Sequence, residues 1–337
     1  MRTLLCWMAL AALPAMVSAQ PRVVNGKLET RAAKGLESEV RAFASAQTAP
    51  AWIGYAVPMV EGRHESCGQA VTLEDGNRNT SDSRRVALEG DRTLLVFLRA
   101  ADRQISKVRS FSAECEVDAG GRTVVFLTGV RAEESVSLLS PLATGTDRQL
   151  SEAAVLAVAL HAGAAAEAAL DKFLDPSRPE SLRERTSFWL GSVRGASGSK
   201  RLLRLVREDP SDLVREKAVF ALYVSKEAEA VDGIVGAARS DKSAKVRSQA
   251  LFWLAQKASA KAASAIADAL RDDPDTEVKR RAVFALSQLP KDEGIPRLIE
   301  VARSNRNPEV RKQAFFWLGQ SKDPRALTFF QQVLESR

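Results

Sequence analysis

The sequence is poor in the residues that most metal and acid–base chemistry requires. Its 337 residues include only three cysteines and two histidines, which leaves little material for a metal site or for histidine-based catalysis. Glycine (19) and proline (13) are also sparse, while 45% of the residues are apolar and 27% are charged. This composition excludes a collagen-like chain and a disordered chain. What remains is a globular chain long enough for two or three domains.

Downstream of Gln20, no apolar run reaches the length of a membrane span. Residues 1–19 instead have the pattern of a secretory signal peptide: Arg2 gives the positive end, residues 4–16 a short apolar core, and Ala19 the small residue before a cleavage site. The alternative, a membrane anchor, would need about 20 apolar residues. We therefore expect cleavage after Ala19 and a periplasmic or secreted protein without a membrane span.

The cysteines bear on the same compartment. Loss of the leader removes Cys6 and leaves Cys67 and Cys115. An even pair in an oxidising compartment predicts one disulfide, which loop-entropy models would value at roughly 4 kcal/mol as an upper limit. The alternative is two buried thiols that pack as small apolar side chains.

The formal net charge is +7, and the basic excess lies in the C-terminal half. Acidic residues are interleaved with the basic ones there, whereas nucleic-acid binding typically needs clustered positive charge. Secretion argues further against a nucleic-acid partner. The charge favours a protein partner of acidic or mixed charge.

A repeat with a constant period runs through the C-terminal half. An apolar residue followed by Arg or Lys recurs in each copy, with a phenylalanine six residues after the apolar residue and a leucine two residues further on. The five copies of the pair are Leu182-Arg183, Val214-Arg215, Val246-Arg247, Val278-Lys279 and Val310-Arg311, so that the period is thirty-two. Turn signals such as Asp209-Pro210 separate a second apolar set and predict two helices of about 12 residues per copy. Because one such pair cannot bury its own apolar faces, the sequence predicts a stack of about six two-helix units.

The motif Asp-Pro-x-x-x-Val-Arg-x-x-Ala-x-x-x-Leu, as in Asp209–Leu222, resembles the HEAT-repeat family in the short form related to the repeats of phycocyanobilin lyases. The resemblance covers residues 148–337. It implies a mainly α fold, a right-handed α-α superhelix, with the helix that carries the Val–Arg pair (the Val–Arg helix) on the inner, concave side. No lyase-specific catalytic motif can be carried over, and such repeats serve as scaffolds, adaptors and occasionally enzymes.

The Val–Arg helix is predicted to leave a narrow wedge open. At about 100° per residue, apolar residues cover three sides of the helix and predict three helical neighbours, so that only the side with Glu216 and Tyr223 stays free. Along the stack this wedge changes from acidic to basic. We expect a protein segment to bind along this concave face, and solvated surface is the alternative. The candidate binding residues are Glu184, Glu216, Tyr223, Arg280 and Lys312.

At two other positions of the repeat, the sequence favours a structural role over a ligand-binding role. Tryptophan alternates with alanine along one of them, which favours large–small packing between units over a row of ligand contacts; its members are Trp189, Ala221, Trp253, Ala285 and Trp317. The arginine of the Val–Arg pair is predicted to tie acidic turns to the helix by charge-assisted hydrogen bonds. A phosphate-binding ladder is the alternative, which Lys279 weakens because lysine cannot make a bidentate fork.

Residues 20–145 do not repeat and predict a small α+β domain ahead of the solenoid of residues 146–337. We expect a helix at Gly35–Gln47 and an antiparallel sheet with a hairpin turn at Asp118–Gly121. The predicted strands are Ala51–Met59, Thr93–Arg99, Lys107–Val117 and Thr123–Thr128. The stretch Pro50–Pro58 resembles the leader domain of secreted bacterial HEAT-repeat proteins.

No catalytic arrangement is visible in the sequence. His64 and Cys67 supply two metal ligands at most, where structural zinc needs four, and His161 lacks an obvious acid–base partner. We assign no catalytic, cofactor-binding or metal-binding residue and expect no cofactor. The predicted function is a non-enzymatic interaction scaffold or adaptor in the bacterial envelope or outside the cell. The alternative is a lyase-like enzyme or enzyme accessory that acts at the junction of the two domains.

Overall fold

The computed structural model describes residues 20–61, 71–74, 92–257 and 259–335. The signal peptide, His64 and Cys67 lie outside these ranges, so the cleavage and the disulfide stay predictions; Cys115 is 1% exposed. The described residues form two compact units. The first, here the sheet unit, runs up to Leu142 without residues 60–62 and takes in His161–Ala165. The second, here the repeat unit, holds most of the remaining chain.

The sheet unit is built on one mixed sheet. Its described elements are β1 (Arg22–Ala32), α1 (Leu36–Ala46), β2 (Ala51–Pro58), β3 (Val71–Thr72), β4 (Thr93–Ala101), β5 (Gln104–Ser112), β6 (Glu116–Thr128) and α2 (Ala132–Ala143). The strand order is β1-β6-β2-β4-β5, and β3 pairs with β6. The apolar strands β2 and β4 lie side by side in the middle and are buried along nearly their whole length. The predicted helix is present as α1, which buries Leu36, Val40 and Ala44 at a spacing of four.

The expected antiparallel pairing is present between β2 and β4 and between β4 and β5, but the sheet is mixed, because β1, β2 and β3 all run parallel to β6. The predicted turn at Asp118–Gly121 lies inside β6. Gly120 and Gly121 have positive φ and fall where the pairing of β1 with β6 shifts register, so they form a bulge and the strand continues. The tight hairpin occurs instead between β4 and β5, at Asp102 and Arg103. Both residues have positive φ, as a two-residue hairpin turn of type I′ requires.

The repeat unit consists of paired helices, which confirms the predicted stack. Its described helices are α3 (Arg148–Leu160), α4 (Ala164–Phe173), α5 (Glu180–Val193), α6 (Gly195–Glu208), α7 (Asp212–Val224), α8 (Ala230–Ser240), α9 (Ala244–Lys257), α10 (Ala260–Asp272), α11 (Thr276–Gln288), α12 (Lys291–Ser304), α13 (Pro308–Gln320) and α14 (Pro324–Glu335). The Val–Arg helices are α5, α7, α9, α11 and α13, and each packs against the next one along the stack. The second helices α6, α8, α10 and α12 pack more extensively against the following Val–Arg helix than against their own. The core of the stack therefore lies between units as much as within them.

The recurring arginine ties the turns to the helices, as predicted. In three units its Nε and Nη2 donate to both carboxylate oxygens of the aspartate 26 residues later, which ends the second helix of the same unit, at 2.7 to 3.1 Å. The pairs are Arg183–Asp209, Arg215–Asp241 and Arg247–Asp273. Arg215 also donates from Nη1 to the carbonyl of Asp209 at 2.9 Å, and thereby holds the turn before its own helix. Since these guanidinium groups are buried and engaged, they are not free to bind phosphate.

In two units of the described structure the bidentate clamp is not seen. One of them lacks both the arginine and the aspartate, and the other keeps the arginine. Within the described part of the chain, Nζ of Lys279 donates only to the carbonyl of Arg271, at 3.3 Å. The corresponding position at the end of its unit holds Asn305 in place of an aspartate. Arg311 keeps the turn contact, donating to the carbonyl of Asn305 at 2.7 Å. The position 26 residues after Arg311, which corresponds to Asp209, Asp241 and Asp273, is residue 337 and lies outside the described residues. The bidentate clamp is therefore found where both the arginine and the aspartate are present.

Close approach of α5 and α7 depends on Gly191. A Cβ at this residue would collide with the carbonyl oxygen of Ala221 and the backbone around it. We expect Gly191→Ala to lower the free energy of unfolding by about 1–3 kcal/mol, because the two helices must move apart. Urea denaturation followed by circular dichroism measures this change.

The chain offers a matched control in Gly319, which occupies the same repeat position four units later. A Cβ there would meet no atom within 4 Å. Gly319→Ala should therefore raise stability by about 0.5–1 kcal/mol, through the higher helix propensity of alanine. Equal losses in both variants would contradict the role assigned to the Gly191 contact.

Candidate partner-binding face

A continuous row of aromatic side chains runs along the open side of the Val–Arg helices. We call this row the aromatic strip; it comprises Phe188, Trp189, Phe220, Tyr223, Phe252, Trp253, Phe284, Phe316 and Trp317. Between units, the ring centroids of Phe188 and Phe220 lie 6.1 Å apart, those of Phe220 and Trp253 4.8 Å apart, and those of Phe284 and Trp317 5.1 Å apart. The strip arises because phenylalanine recurs with the period of the repeat, on the same side of each Val–Arg helix.

The open face is wider than the predicted wedge. Each phenylalanine of the strip is half-buried or, for Phe316, 53% exposed. On α7 the open side extends from Tyr223 past Phe220 to Lys217, which is exposed. The expected narrow opening is therefore wrong. Phe188 stacks on Phe220 and Phe252 stacks on Phe284 in the neighbouring units, and each ring keeps part of its surface exposed.

The tryptophans of the strip fill the gaps between these rings. The Trp253 ring lies 4.5 Å from Tyr223 and 4.8 Å from Phe220, both on α7, and 4.8 Å from Phe252 on its own helix. Ala221, at the same repeat position one unit earlier, is fully buried. Nε1 of Trp253 is enclosed without an acceptor among the described residues. Packing of the ring, and not a hydrogen bond, therefore holds Trp253 in place.

The acidic members of the predicted site lie at the N-terminal end of this face. Glu184 on α5 and Glu216 on α7 are both half-buried. Glu216 forms an ion pair with Lys245 of the next unit, at 2.8 Å between Oε2 and Nζ, and the hydrogen bond to Glu216 raises the pKa of Lys245. Neutralisation by Lys245 makes this end of the face less acidic than the sequence indicated.

Tyr223 lies in the middle of the strip and is half-buried. Nζ of Lys257 lies 5.2 Å from the centroid of its ring, so that a cation covers one face of the ring. Sequence reasoning missed Lys257. The sequence does indicate this contact: Lys257 lies four residues after Trp253, and residues four apart lie on the same face of a helix.

The basic members of the predicted site lie at the C-terminal end. Arg280 on α11 and Lys312 on α13 are both exposed, as is Arg281. Oε2 of Glu277 accepts a hydrogen bond from Nη1 of Arg280 at 2.9 Å, and Oε1 of Glu277 lies 3.8 Å from Nε of Arg281. Glu309 is exposed at the same repeat position on α13. The three cations outnumber these two carboxylates, so the C-terminal half of the face keeps a net positive charge.

The sheet unit holds two polar clusters of its own, one of them around Glu74. Its carboxylate accepts from Nε1 of Trp52 and Nε of Arg99, each at 3.0 Å, and pairs with Nε of Arg122 at 2.9 Å. Burial by itself would raise the pKa of Glu74, but the hydrogen bond from Trp52 and the two guanidinium groups outweigh it and lower the pKa. Since every partner lies on the sheet, this cluster fixes strands to one another.

The second cluster gives His161 the partner that the sequence did not reveal. Oγ of Ser135 lies 2.7 Å from Nε2 of His161 and 2.8 Å from the hydroxyl of Tyr55. All three side chains are fully buried, and burial raises the pKa of Tyr55. A serine beside a histidine is the pairing of nucleophile and base that some enzymes use, but here the third group, Tyr55, contacts the serine and not the histidine, and the serine is fully buried.

Within the described ranges, no helix is both long enough and apolar enough to cross a membrane. The same ranges contain no group of three or more His, Cys, Asp or Glu side chains placed to hold a metal ion.

Stacked helix pairs with one open aromatic face define an α-solenoid protein. Residues 263–337 match the family model described as HEAT repeats, which confirms the HEAT resemblance for that part of the chain. No curated protein matches the sequence.

Three solved structures are similar to part of the chain. Human deoxyhypusine hydroxylase in complex with glycerol is 17% identical, with 60% of this chain and 90% of that chain covered and a TM-score of 0.27. The CpcE–CpcF complex of phycocyanin lyase from Nostoc sp. PCC7120 is 18% identical, with coverages of 60% and 88% and a TM-score of 0.34. An engineered protein is 22% identical, with 58% of each chain covered and a TM-score of 0.30. Likeness at this level says nothing about the activity of this chain.

Proposed function

We propose that the protein is a non-enzymatic interaction scaffold that binds a protein segment along the open face of its Val–Arg helices. The observation that carries the proposal is the aromatic strip, in which nine rings on five helices keep part of their surface open. Continuous apolar surface of this kind marks an interaction site, and aromatic side chains contribute most to binding at such sites.

The packing of the stack supports a concave binding face. Successive Val–Arg helices contact one another more extensively than successive second helices do. Such a difference is expected when a stack of helix pairs curves toward its Val–Arg side, and the inner surfaces of repeat proteins are common binding sites.

The charges on the face favour a segment with an acidic end. Arg280, Arg281 and Lys312 are exposed at the C-terminal end of the face, whereas both acidic members of the predicted site, Glu184 and the paired Glu216, lie at the other end together with Lys217. A segment that presents apolar side chains to the rings and carboxylates to the basic end matches this surface.

The proposed location, periplasmic or secreted, is supported by the signal-peptide pattern of residues 1–19 alone. We propose no reaction for the alternative function as an enzyme. The arrangement nearest to a catalytic one, Tyr55–Ser135–His161, is fully buried and so gives the alternative no support.

Charge reversal tests the binding face. A peptide library displayed on phage is selected on the immobilised protein, and a selected peptide is then titrated by fluorescence anisotropy. We expect selected peptides to combine aromatic or aliphatic residues with carboxylates. The double variant Arg280→Glu/Lys312→Glu should weaken their binding about tenfold or more. Its melting temperature should change little, because exposed ion pairs such as Arg280–Glu277 contribute about 0–1 kcal/mol.

Lys200→Glu/Arg207→Glu is the matched control, since both residues are exposed on the second helix α6. This variant changes the net charge by the same amount and should retain binding. Equal weakening in both double variants would indicate attraction by net charge alone and would contradict a site on the Val–Arg face.

A further inference from the structure

The ring contacts of the aromatic strip repeat after two units and not after one. The rings of Phe188 and Phe220 are stacked, with centroids 6.1 Å apart and planes inclined by 17°. Two repeat periods later, the rings of Phe252 and Phe284 are stacked in the same way, at 6.2 Å and 2°. The strip therefore contains two stacked phenylalanine pairs at equivalent positions.

A tryptophan of the next unit completes each pair. The ring of Trp253 lies 4.8 Å from that of Phe220, and the ring of Trp317, two periods later, lies 5.1 Å from that of Phe284. Trp253 also contacts Phe252 edge-on at 4.8 Å, so it separates the two pairs. We call each pair with its tryptophan a half-site; the first comprises Phe188, Phe220 and Trp253, and the second comprises Phe252, Phe284 and Trp317.

The alternation of tryptophan and alanine produces this doubled period. The residue after the repeated phenylalanine is alanine on α7 and α11, where Ala221 and Ala285 are fully buried. On α9 and α13 the same position holds Trp253 and Trp317, whose rings contact the phenylalanine of the preceding unit. The large–small alternation that packs the units thus also divides the face into two equivalent half-sites.

One protein segment can span both half-sites. Successive Val–Arg helices pack directly against one another, and packed helices have axes about 8–10 Å apart, so two units separate the half-sites by about 16–20 Å. An extended segment covers this distance in about six residues, and a helical segment in about eleven. At either spacing the two side chains point to the same side of the segment.

The half-sites differ in a flanking charge. Glu216 precedes Phe220 by one helical turn on α7, whereas Arg280 is the equivalent residue before Phe284 on α11. Glu216 is engaged by Lys245. Arg280 remains exposed although Glu277 accepts a hydrogen bond from it. A carboxylate of a bound segment therefore finds its counter-charge at the second half-site.

From these observations we infer that the face binds a protein segment through two apolar or aromatic side chains, one in each half-site, with a carboxylate next to the side chain in the second half-site. The inference rests on the proposed function and adds to it the spacing and the orientation of the partner. Aromatic rings with part of their surface open suit such side chains, and a few anchors of this kind carry most of the binding energy of a protein contact.

Peptide selection followed by alanine scanning tests the spacing. Phage-displayed peptides of about 16 residues, long enough for either conformation, are selected on the immobilised protein, and alanine variants of a selected peptide are titrated by fluorescence anisotropy. We expect two peptide positions at which alanine weakens binding about tenfold or more. They should lie about six residues apart in an extended peptide or about eleven in a helical one. A single such position, or a pair at any other spacing, would overturn the inference.

A double-mutant cycle assigns each peptide side chain to a half-site. Phe220→Leu and Phe284→Leu each remove a ring at an equivalent position and keep an apolar side chain. With Phe220→Leu, alanine at one peptide position should weaken binding less than it does with the wild type, and alanine at the other position equally. Phe284→Leu should show the reverse, and the position coupled to Phe284 should be the one next to the carboxylate. Coupling of both positions to the same phenylalanine, or of neither to either one, would contradict the two half-sites.

Phe315→Leu controls for the substitution itself. The Phe315 ring packs against Phe329 and Phe330 of α14 and is not part of the strip, so this variant should bind the peptide as the wild type does. Far-UV circular dichroism and melting temperature verify the fold of all three variants. If Phe315→Leu weakened binding as much as Phe220→Leu, the loss would reflect stability and the assignment of Phe220 to a half-site would fail.

The same peptides distinguish a failure of this inference from a failure of the proposed function. If Arg280→Glu/Lys312→Glu weakens a peptide that depends on one apolar side chain, the face binds its partner and only the two half-sites are wrong. If selected peptides bind this variant and its control, Lys200→Glu/Arg207→Glu, equally well, the proposed function and the inference both fail.

Discussion

Replacing Arg215 with alanine is expected to lower the free energy of unfolding by about 3–5 kcal/mol, the range for removing one partner of a buried ion pair. The guanidinium group is enclosed, and its loss leaves the Asp241 carboxylate, whose side chain is 4% exposed, without its bidentate partner. The same change removes the hydrogen bond to the carbonyl of Asp209 in the preceding turn. Hydrogen bonding to Asp241 raises the pKa of Arg215, so the side chain stays charged at any pH at which the measurement is made.

Lys279→Ala is the matched control for this prediction, because Lys279 occupies the same position of the repeat. Its ammonium group makes one hydrogen bond to a carbonyl at 3.3 Å, and its loss should cost no more than about 1 kcal/mol. Urea denaturation of the two variants measures the difference. A loss at Arg215 as small as that at Lys279 would show that the bidentate clamp contributes nothing beyond a single hydrogen bond.

The structural role of the recurring arginine could be predicted from the sequence, but its bidentate partner, the aspartate 26 residues later, could not. An arginine that stands at a fixed distance from acidic turns in successive copies of the repeat leaves few geometries for the side chain, and the structure confirms this role at Arg215 and Arg247. The paired helices were predictable for the same reason. Period, turn residues and apolar spacing all agree in that half of the chain.

The strand pairing of the sheet unit could not be predicted from the sequence. Gly120-Gly121 was assigned to a hairpin, but a strand can carry two glycines at positive φ through a bulge, and only its long-range pairing with β1 decides between the two. Parallel pairing joins residues far apart in the sequence, such as Leu28 and Val124, and leaves no local signal.

The candidate face was predictable in position but not in width. Periodicity gives direction around a helix, and it predicted that Glu216 and Tyr223 lie on the same side of α7; both are half-buried in the structure. The periodicity could not show that Phe220 would stack on Phe188 and stay half-buried, since that depends on the distance between units. The enclosed pair of His161 and Ser135 was missed because its two residues come from separate segments.

Replacing Trp253 with alanine is expected to cost about 3 kcal/mol of stability, at the lower end of the range for such a truncation because the ring is only half-buried. The ring contacts Phe220 and Tyr223 of the preceding unit and Phe252 of its own, so its loss opens a gap between α7 and α9. Thermal or urea unfolding measures the change. Trp253→Phe should recover part of the loss, because a smaller aromatic ring still fills some of the space.

Trp189→Ala provides the comparison that separates packing from binding. Trp189 has the same repeat position, but in the described structure its ring contacts only that of Phe188 on its own helix, so a smaller loss of stability is expected. If the two variants lost equal stability, contacts between units would not explain the role of Trp253. Large–small packing between units predicts that Trp253→Ala loses stability. If this variant kept the wild-type stability and lost peptide binding, the Trp253 ring would instead be a contact residue for the partner.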